Sequence, residues 1–157
     1  MTRHLDTLLN RLATEPAVLL TITRTQGSVP RETGTWMAVF ATDELGTIGG
    51  GQLEWSATRQ ARERLLAGDR GSWDVPVSLG PSLGQCCGGR LVLQHRVVGA
   101  ADIDALRSAL ARPVQAVALF GGGHVGRALV QALAPLPYAV HWIDSRDQIF
   151  PADRPAG

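Results

Sequence analysis

No segment narrows the choice of fold more than Gly121-Gly122-Gly123-His124-Val125-Gly126, a G-x-G-x-x-G turn set between two apolar stretches. Before it runs Val114 to Phe120, with Val114, Ala116, Val117, Ala118, Leu119 and Phe120 apolar, which reads as a strand buried on both faces. After it, Val125, Ala128, Leu129, Ala132 and Leu133 mark an apolar helix, so strand, glycine turn and helix stand in the order a dinucleotide fingerprint requires. Gly121 allows the tight turn, Gly123 the approach of a pyrophosphate to the backbone, and Gly126 close packing of helix on strand. The N–H groups opening the helix then face the phosphates. A second strand, Ala139 to Ile143, ends in Asp144, eighteen residues after Gly126 and near the spacing expected of a ribose-binding acid. The plain alternative is a turn that only packs helix on strand. A complete fold of this kind has further parallel strands, so the unit reads as incomplete. Its unpaired edges imply either a truncated product or exchange of elements with another chain.

The rest of the chain differs in pattern. Leu5, Leu8, Leu9 and Leu12 fall on one helical stripe that ends before Pro16. Strands are expected over Ala17 to Thr25 and Trp36 to Ala41, then a turn through Asp43 to Gly46, a helix from Gln52 to Leu66, and strands over Trp73 to Leu79 and Leu91 to Val98. Asp102 can cap a helix through Leu110, and Pro113 resets the chain. The expected class is therefore α/β: a small N-terminal α+β domain over 1–99, a helical linker over 100–113, and an incomplete Rossmann-like βαβ unit over 114–157.

Composition removes several functions. The net charge of +1 and the lack of basic runs interleaved with aromatics argue against a nucleic-acid partner. All fifteen cationic residues are Arg, so Schiff-base chemistry and a Walker lysine are absent. Ala17 to Ile22 is too short an apolar run to span a bilayer, so a soluble cytoplasmic protein without a membrane partner is expected. Cys86 and Cys87 are adjacent, with Cα atoms about 3.8 Å apart, closer than an ordinary disulfide tolerates. Free thiols in a reducing compartment follow.

Three glycine-rich loops remain. Leu83-Gly84-Gln85-Cys86-Cys87-Gly88-Gly89-Arg90 sets two soft thiols among glycines whose N–H groups can converge on an anion. Such a loop suits a thiophilic metal oxo-anion or a sulfur-transfer step. Adjacent cysteines and histidines without ligand spacing do not suit zinc. A core cysteine beside chain-turning glycines explains the same pattern. Gln26-Gly27-Ser28-Val29-Pro30-Arg31 and Gly49-Gly50-Gly51-Gln52-Leu53-Glu54 lie at strand ends. There Arg31 could hold a phosphate and Glu54 could accept from a heterocycle N–H, or each could be a tight turn with a surface charge.

Gly27-Ser28-Val29-Pro30-Arg31 with Gly34 and Met37, Ile48 to Glu54, and Leu83 to Gly89, taken in order, resemble the XdhC/CoxI family. Gly121 to Gly126 and Asp144 extend the resemblance to the end of the chain. It implies an accessory protein that binds molybdenum cofactor (molybdopterin), assists its sulfuration by a cysteine desulfurase, and inserts it into a molybdenum hydroxylase apo-enzyme such as xanthine dehydrogenase. Cys87 or Cys86 would then contact the molybdenum, Cys87 standing where the family has its C-G-G motif. Arg31, Gly49, Gly50, Gly51, Glu54, Gly88 and Gly89 would complete the cofactor site, and Gly121, Gly123, Gly126 and Asp144 would take NAD(P) or another nucleotide. A homo-oligomer is expected.

A carrier also agrees with the residues themselves, since no Ser-His-Asp arrangement or catalytic carboxylate pair stands out. Two other readings stay open: an NAD(P)- or flavin-dependent oxidoreductase, which demands turnover, and a non-catalytic nucleotide-binding sensor, which demands binding without transfer. Fold analogy does not choose among them.

Overall fold

The computed structural model describes residues 2–80, 88–111, 115–134, 136, 138–146 and 148–151. It is a mixed α/β structure with one large antiparallel sheet and one small parallel pair of strands. The chain divides into two compact units, Asp6–Ser108 and Ala109–Gly157, the latter together with Met1–Leu5.

In the first unit five strands, β1 (Ala17–Gln26), β2 (Trp36–Val39), β3 (Glu44–Gly46), β4 (Ser72–Ser78) and β5 (Arg90–Val98), form an antiparallel sheet in the order β3-β2-β1-β5-β4. The helix α1 (Thr2–Leu12) precedes β1, and α2 (Gly51–Leu66) links β3 to β4. Alternation assigns the faces. Val18, Leu20 and Ile22 of β1 stand with Met37 and Val39 of β2 and with Leu91 and Leu93 of β5 against Leu53, Ala57 and Ala61 of α2, all buried. Burying such a cluster is the main source of stability for a domain of this size.

At Ile22 to Arg24 the register between β1 and β5 shifts by one residue, so Ile22 faces Leu93 while Arg24 faces Val92. The Thr23 hydroxyl donates to Val92 O at 3.2 Å across this bulge. Without the extra residue, alternation would turn Arg24 to the side of Val18, Leu20 and Ile22; the bulge sends it to the opposite face. On α1, Leu8, Leu9 and Leu12 are buried, and the Arg11 guanidinium lies 3.5 Å above the Phe40 ring while donating twice to Asp43 at 2.8 Å. The stretch read from sequence as a bare turn, Asp43 to Gly46, instead holds β3, paired to β2 through Ala38 and Leu45. Three residues are too few to show a period, and only the partner strand reveals them.

After a 3-10 turn at Ala100–Asp102 and α3 (Ile103–Leu110), the second unit contains β6 (Gln115–Phe120), α4 (His124–Leu133) and β7 (Tyr138–Ile143). β6 and β7 are parallel, with Val117 opposite Val140 and Phe120 opposite Ile143. The expectation that the first of these strands is buried on both faces fails. No residue of β6 is buried, and Phe120 is 76% exposed. Among the described residues the pair has no third strand beside it, so an apolar sequence suited to the middle of a sheet stands at an edge.

Candidate functional site

Three loops named above meet at one end of the large sheet. β1 ends at Gln26, which pairs with Arg90 at the start of β5, and this register puts the turn at Gly27 and Ser28 beside Gly88 and Gly89. The approach is close. A methyl group on Gly89 would lie 2.1 Å from Ser28 O and 3.0 Å from Gln26 O, and one on Gly27 would lie 3.4 Å from Gly89 Cα. Gly89 O in turn accepts from Leu79 N at 2.8 Å, which anchors the loop to the end of β4. On the other side of the same turn, a methyl group on Gly49 would meet the Pro30 ring at 2.9 Å and Arg31 Cγ at 3.7 Å. The Gly27 to Arg31 loop is therefore wedged between the triple-glycine segment and Gly88-Gly89.

The triple-glycine segment is held by Glu54. Its Oε2 accepts from Thr47 Oγ1 at 2.6 Å, Ile48 N at 3.0 Å and Gly50 N at 3.0 Å. Burial disfavours the charged carboxylate, but these donors outweigh it and hold the Glu54 pKa below its ordinary value. Gly49, Gly50 and Gly51 all have positive φ, at 128°, 76° and 64°, a run that residues with side chains rarely adopt. Gly50 and Gly88 have open space where a side chain would be, although the Gly50 N–H is already given to Glu54. Arg31 is exposed at the rim. Thr47, which also accepts from Gly49 N at 3.2 Å, was not singled out from sequence. A threonine two residues before a glycine run is its only local signal. Cys86 and Cys87 lie outside the described residues, and the described end of their loop is the Gly88-Gly89 contact just given.

In the second unit the fingerprint glycines have separate tasks. Gly121 has φ 109° and donates its N–H to Ile143 O at 2.8 Å. Gly123 opens α4 with free space over its Cα, while a methyl on Gly126 would lie 1.9 Å from Gly121 O. Asp144 is brought to this turn: its Oδ2 accepts from Gly122 N at 2.6 Å, and both its oxygens receive Arg146, at 3.0 Å from Nε and 2.8 Å from Nη2. Arg146, and with it the Gly122 N–H, pulls the Asp144 pKa far below the usual carboxylate range. A ribose hydroxyl reaching this acid would have to compete with the exposed Arg146 side chain. Trp142 Nε1 donates to Gly121 O at 2.9 Å and its ring meets Phe150 edge-on at 5.0 Å, while Ile149 packs over Gly122.

Among the described residues no group of three or more His, Cys, Asp or Glu is placed to hold a metal ion, and no helix is long and apolar enough to cross a membrane. The arrangement in the first unit is that of glycine loops meeting at one end of an antiparallel sheet, followed by a parallel βαβ unit with a glycine turn. Over residues 11–74 the chain matches the XdhC and CoxI family, a segment that contains both the Gly27 to Arg31 loop and the triple-glycine segment with Glu54. The structure is also similar to a crystal structure described as a xanthine dehydrogenase from Bacillus halodurans, with a TM-score of 0.76 at 17% identity, over 93% of this chain and 63% of that one. At that identity the likeness concerns the fold, and this chain spans less than two thirds of the other's length. No curated protein gives a significant sequence match.

Proposed function

We propose that the protein is an accessory factor in the maturation of xanthine dehydrogenase or a related molybdenum hydroxylase, binding molybdenum cofactor as cargo and presenting it for sulfuration and insertion. The observation that carries this reading is the meeting of the Gly27 to Arg31 loop with Gly49 on one side and Gly88-Gly89 on the other. Gly88, with open space at its main chain and next to Cys87 in sequence, and the exposed Arg31 of the adjoining loop support it. Backbone N–H groups and a guanidinium suit oxo and phosphate oxygens, and a thiolate suits molybdenum. On this reading Cys87 or Cys86 contacts the metal, Gly49, Gly51 and Gly89 shape the loops, and Glu54 holds the triple glycine in place. The apo-enzyme and a cysteine desulfurase are the partners, acting in the cytoplasm, with this protein as a homo-oligomer. The turn at Gly121, Gly123 and Gly126 with Asp144 is a nucleotide site on the same reading, belonging to a Rossmann-like domain over 114–157.

The test is molybdenum retention. Purified wild type, Cys87→Ala and Cys86→Ala are mixed with molybdenum cofactor and separated by size, and molybdenum is measured in the protein fraction. Wild type should retain it, and Cys87→Ala should lose most of it. Equal, negligible metal in all three would end the carrier reading.

A further inference from the structure

The bulge in β1 has set a second feature beside the glycine loops, on the sheet face opposite α2. The register there stacks two rungs across three strands: Gln26, Arg90 and Ser78 form one, and Arg24, Val92 and Pro76 the next. These six residues, with Thr25, Val77 and Leu91 between them, line an open cavity of about 440 Å³. That is within the range of small-molecule sites, roughly 300 to 1,000 Å³. Its floor is apolar at Val92 and Pro76. Two exposed guanidiniums flank it, Arg24 and Arg90, and among the described residues neither has a carboxylate partner. Gln26 and Ser78 add neutral hydrogen-bonding groups on the rung nearest Gly88-Gly89.

The geometry points to a binding site for a phosphomonoester carried on a flat heterocycle, the anion held by Arg24 and Arg90 and the ring lying over Val92 and Pro76. Two cations on adjacent rungs favour a doubly charged group over a carboxylate, and guanidinium forks match phosphate oxygens; the acid on the next rung of this face, Asp74, is engaged by Gln94 at 3.4 Å. The apolar rung has no use for a free anion. This site deepens the carrier reading and rests on it: the pocket would hold the phosphate and pterin ring of the cargo, while the cysteine loop holds the metal.

A metal-free probe separates the two. Binding of 6-hydroxymethylpterin phosphate, of 6-hydroxymethylpterin and of inorganic phosphate is measured by pterin fluorescence and by competition, for wild type, Arg24→Gln, Arg90→Gln and Cys87→Ala. Each arginine is exposed, so both variants should fold. Wild type should prefer the ester to the alcohol by about 10-fold or more, the scale of a charged hydrogen bond, and inorganic phosphate should compete only weakly. Either arginine substitution should reduce the preference to within about 3-fold, and Cys87→Ala should leave it intact. Equal affinity of wild type for ester and alcohol, inorganic phosphate binding as well as the ester, or a preference that survives both arginine substitutions would each overturn the site. Molybdenum retention in the same proteins keeps the readings apart. Retention by both arginine variants at wild-type level counts against the phosphate site alone, and an ester preference in a wild type that holds no molybdenum upholds it while the carrier reading falls.

Discussion

Replacing Glu54 with Ala removes the acceptor on which Thr47 Oγ1, Ile48 N and Gly50 N converge. A hydrogen bond to a charged group contributes about 1.5–3 kcal/mol, but water replaces part of it at a half-buried site, so the three together are worth roughly 2 kcal/mol. The carboxylate also sits in the first turn of α2, where a negative charge favours the helix dipole by a few tenths of a kcal/mol, about 0.3 or more. For a domain of about 100 residues, each kcal/mol moves Tm by about 4–8 °C, so Glu54→Ala should lower Tm by about 8–16 °C. Glu54→Gln, which keeps an acceptor oxygen and loses the charge, should fall about halfway. Thermal unfolding followed by circular dichroism at pH 7 measures both. The pH dependence has a definite sign. The folded pKa lies below the ordinary 4.5, so the stabilisation is fully present above that value and is lost as pH falls through the folded pKa. The gap between wild type and Glu54→Gln should therefore close in acid. A Tm for Glu54→Ala within about 2 °C of wild type would refute the view that this side chain holds the triple-glycine loop.

Gly89→Ala sets a methyl against the Ser28 carbonyl, a main-chain neighbour that cannot swing aside, and should cost about 1–3 kcal/mol or more in urea unfolding. Gly88→Ala, with open space at the same position, should stay within about 0.5 kcal/mol, and equal losses in the two would contradict the loop contact. His95 is buried, stacked on Trp73 at 5.0 Å, and its Nε2 has no partner among the described residues; burial pushes its pKa down to about 4. The unfolded state thus binds the extra proton first, and stability should fall by about 3 kcal/mol as pH drops from 7 to 4. His95→Phe, which keeps the stack, should remove that part of the acid sensitivity; an unchanged acid profile would refute the assignment.

Where a signal repeats within one element, the sequence alone was sufficient. The leucine stripe of α1, the alternation of β1 up to Ile22, the long polar helix α2 and the strand, glycine turn and helix around Gly121 all follow from spacing, because side-chain direction along a helix or strand is set by backbone geometry. Mixed α/β architecture follows from the same elements, and the motifs of the three glycine loops are visible as residue types. Their meeting is not. Gly27 and Gly89 touch because β1 and β5, far apart in the chain, are neighbours in register. The same pairing accommodates one extra residue at Thr23 and so decides that Arg24 shares a face with Arg90. Glu54 has the residue type of a ligand-binding acid, yet only the fold turns its Oε2 back onto its own loop. The apolar letters of β6 describe a strand that wants two covered faces, but exposure depends on how many neighbours surround it. Short-range sterics and periodicity were thus encoded locally, whereas convergence, facing and burial were decided by pairing across long stretches of chain.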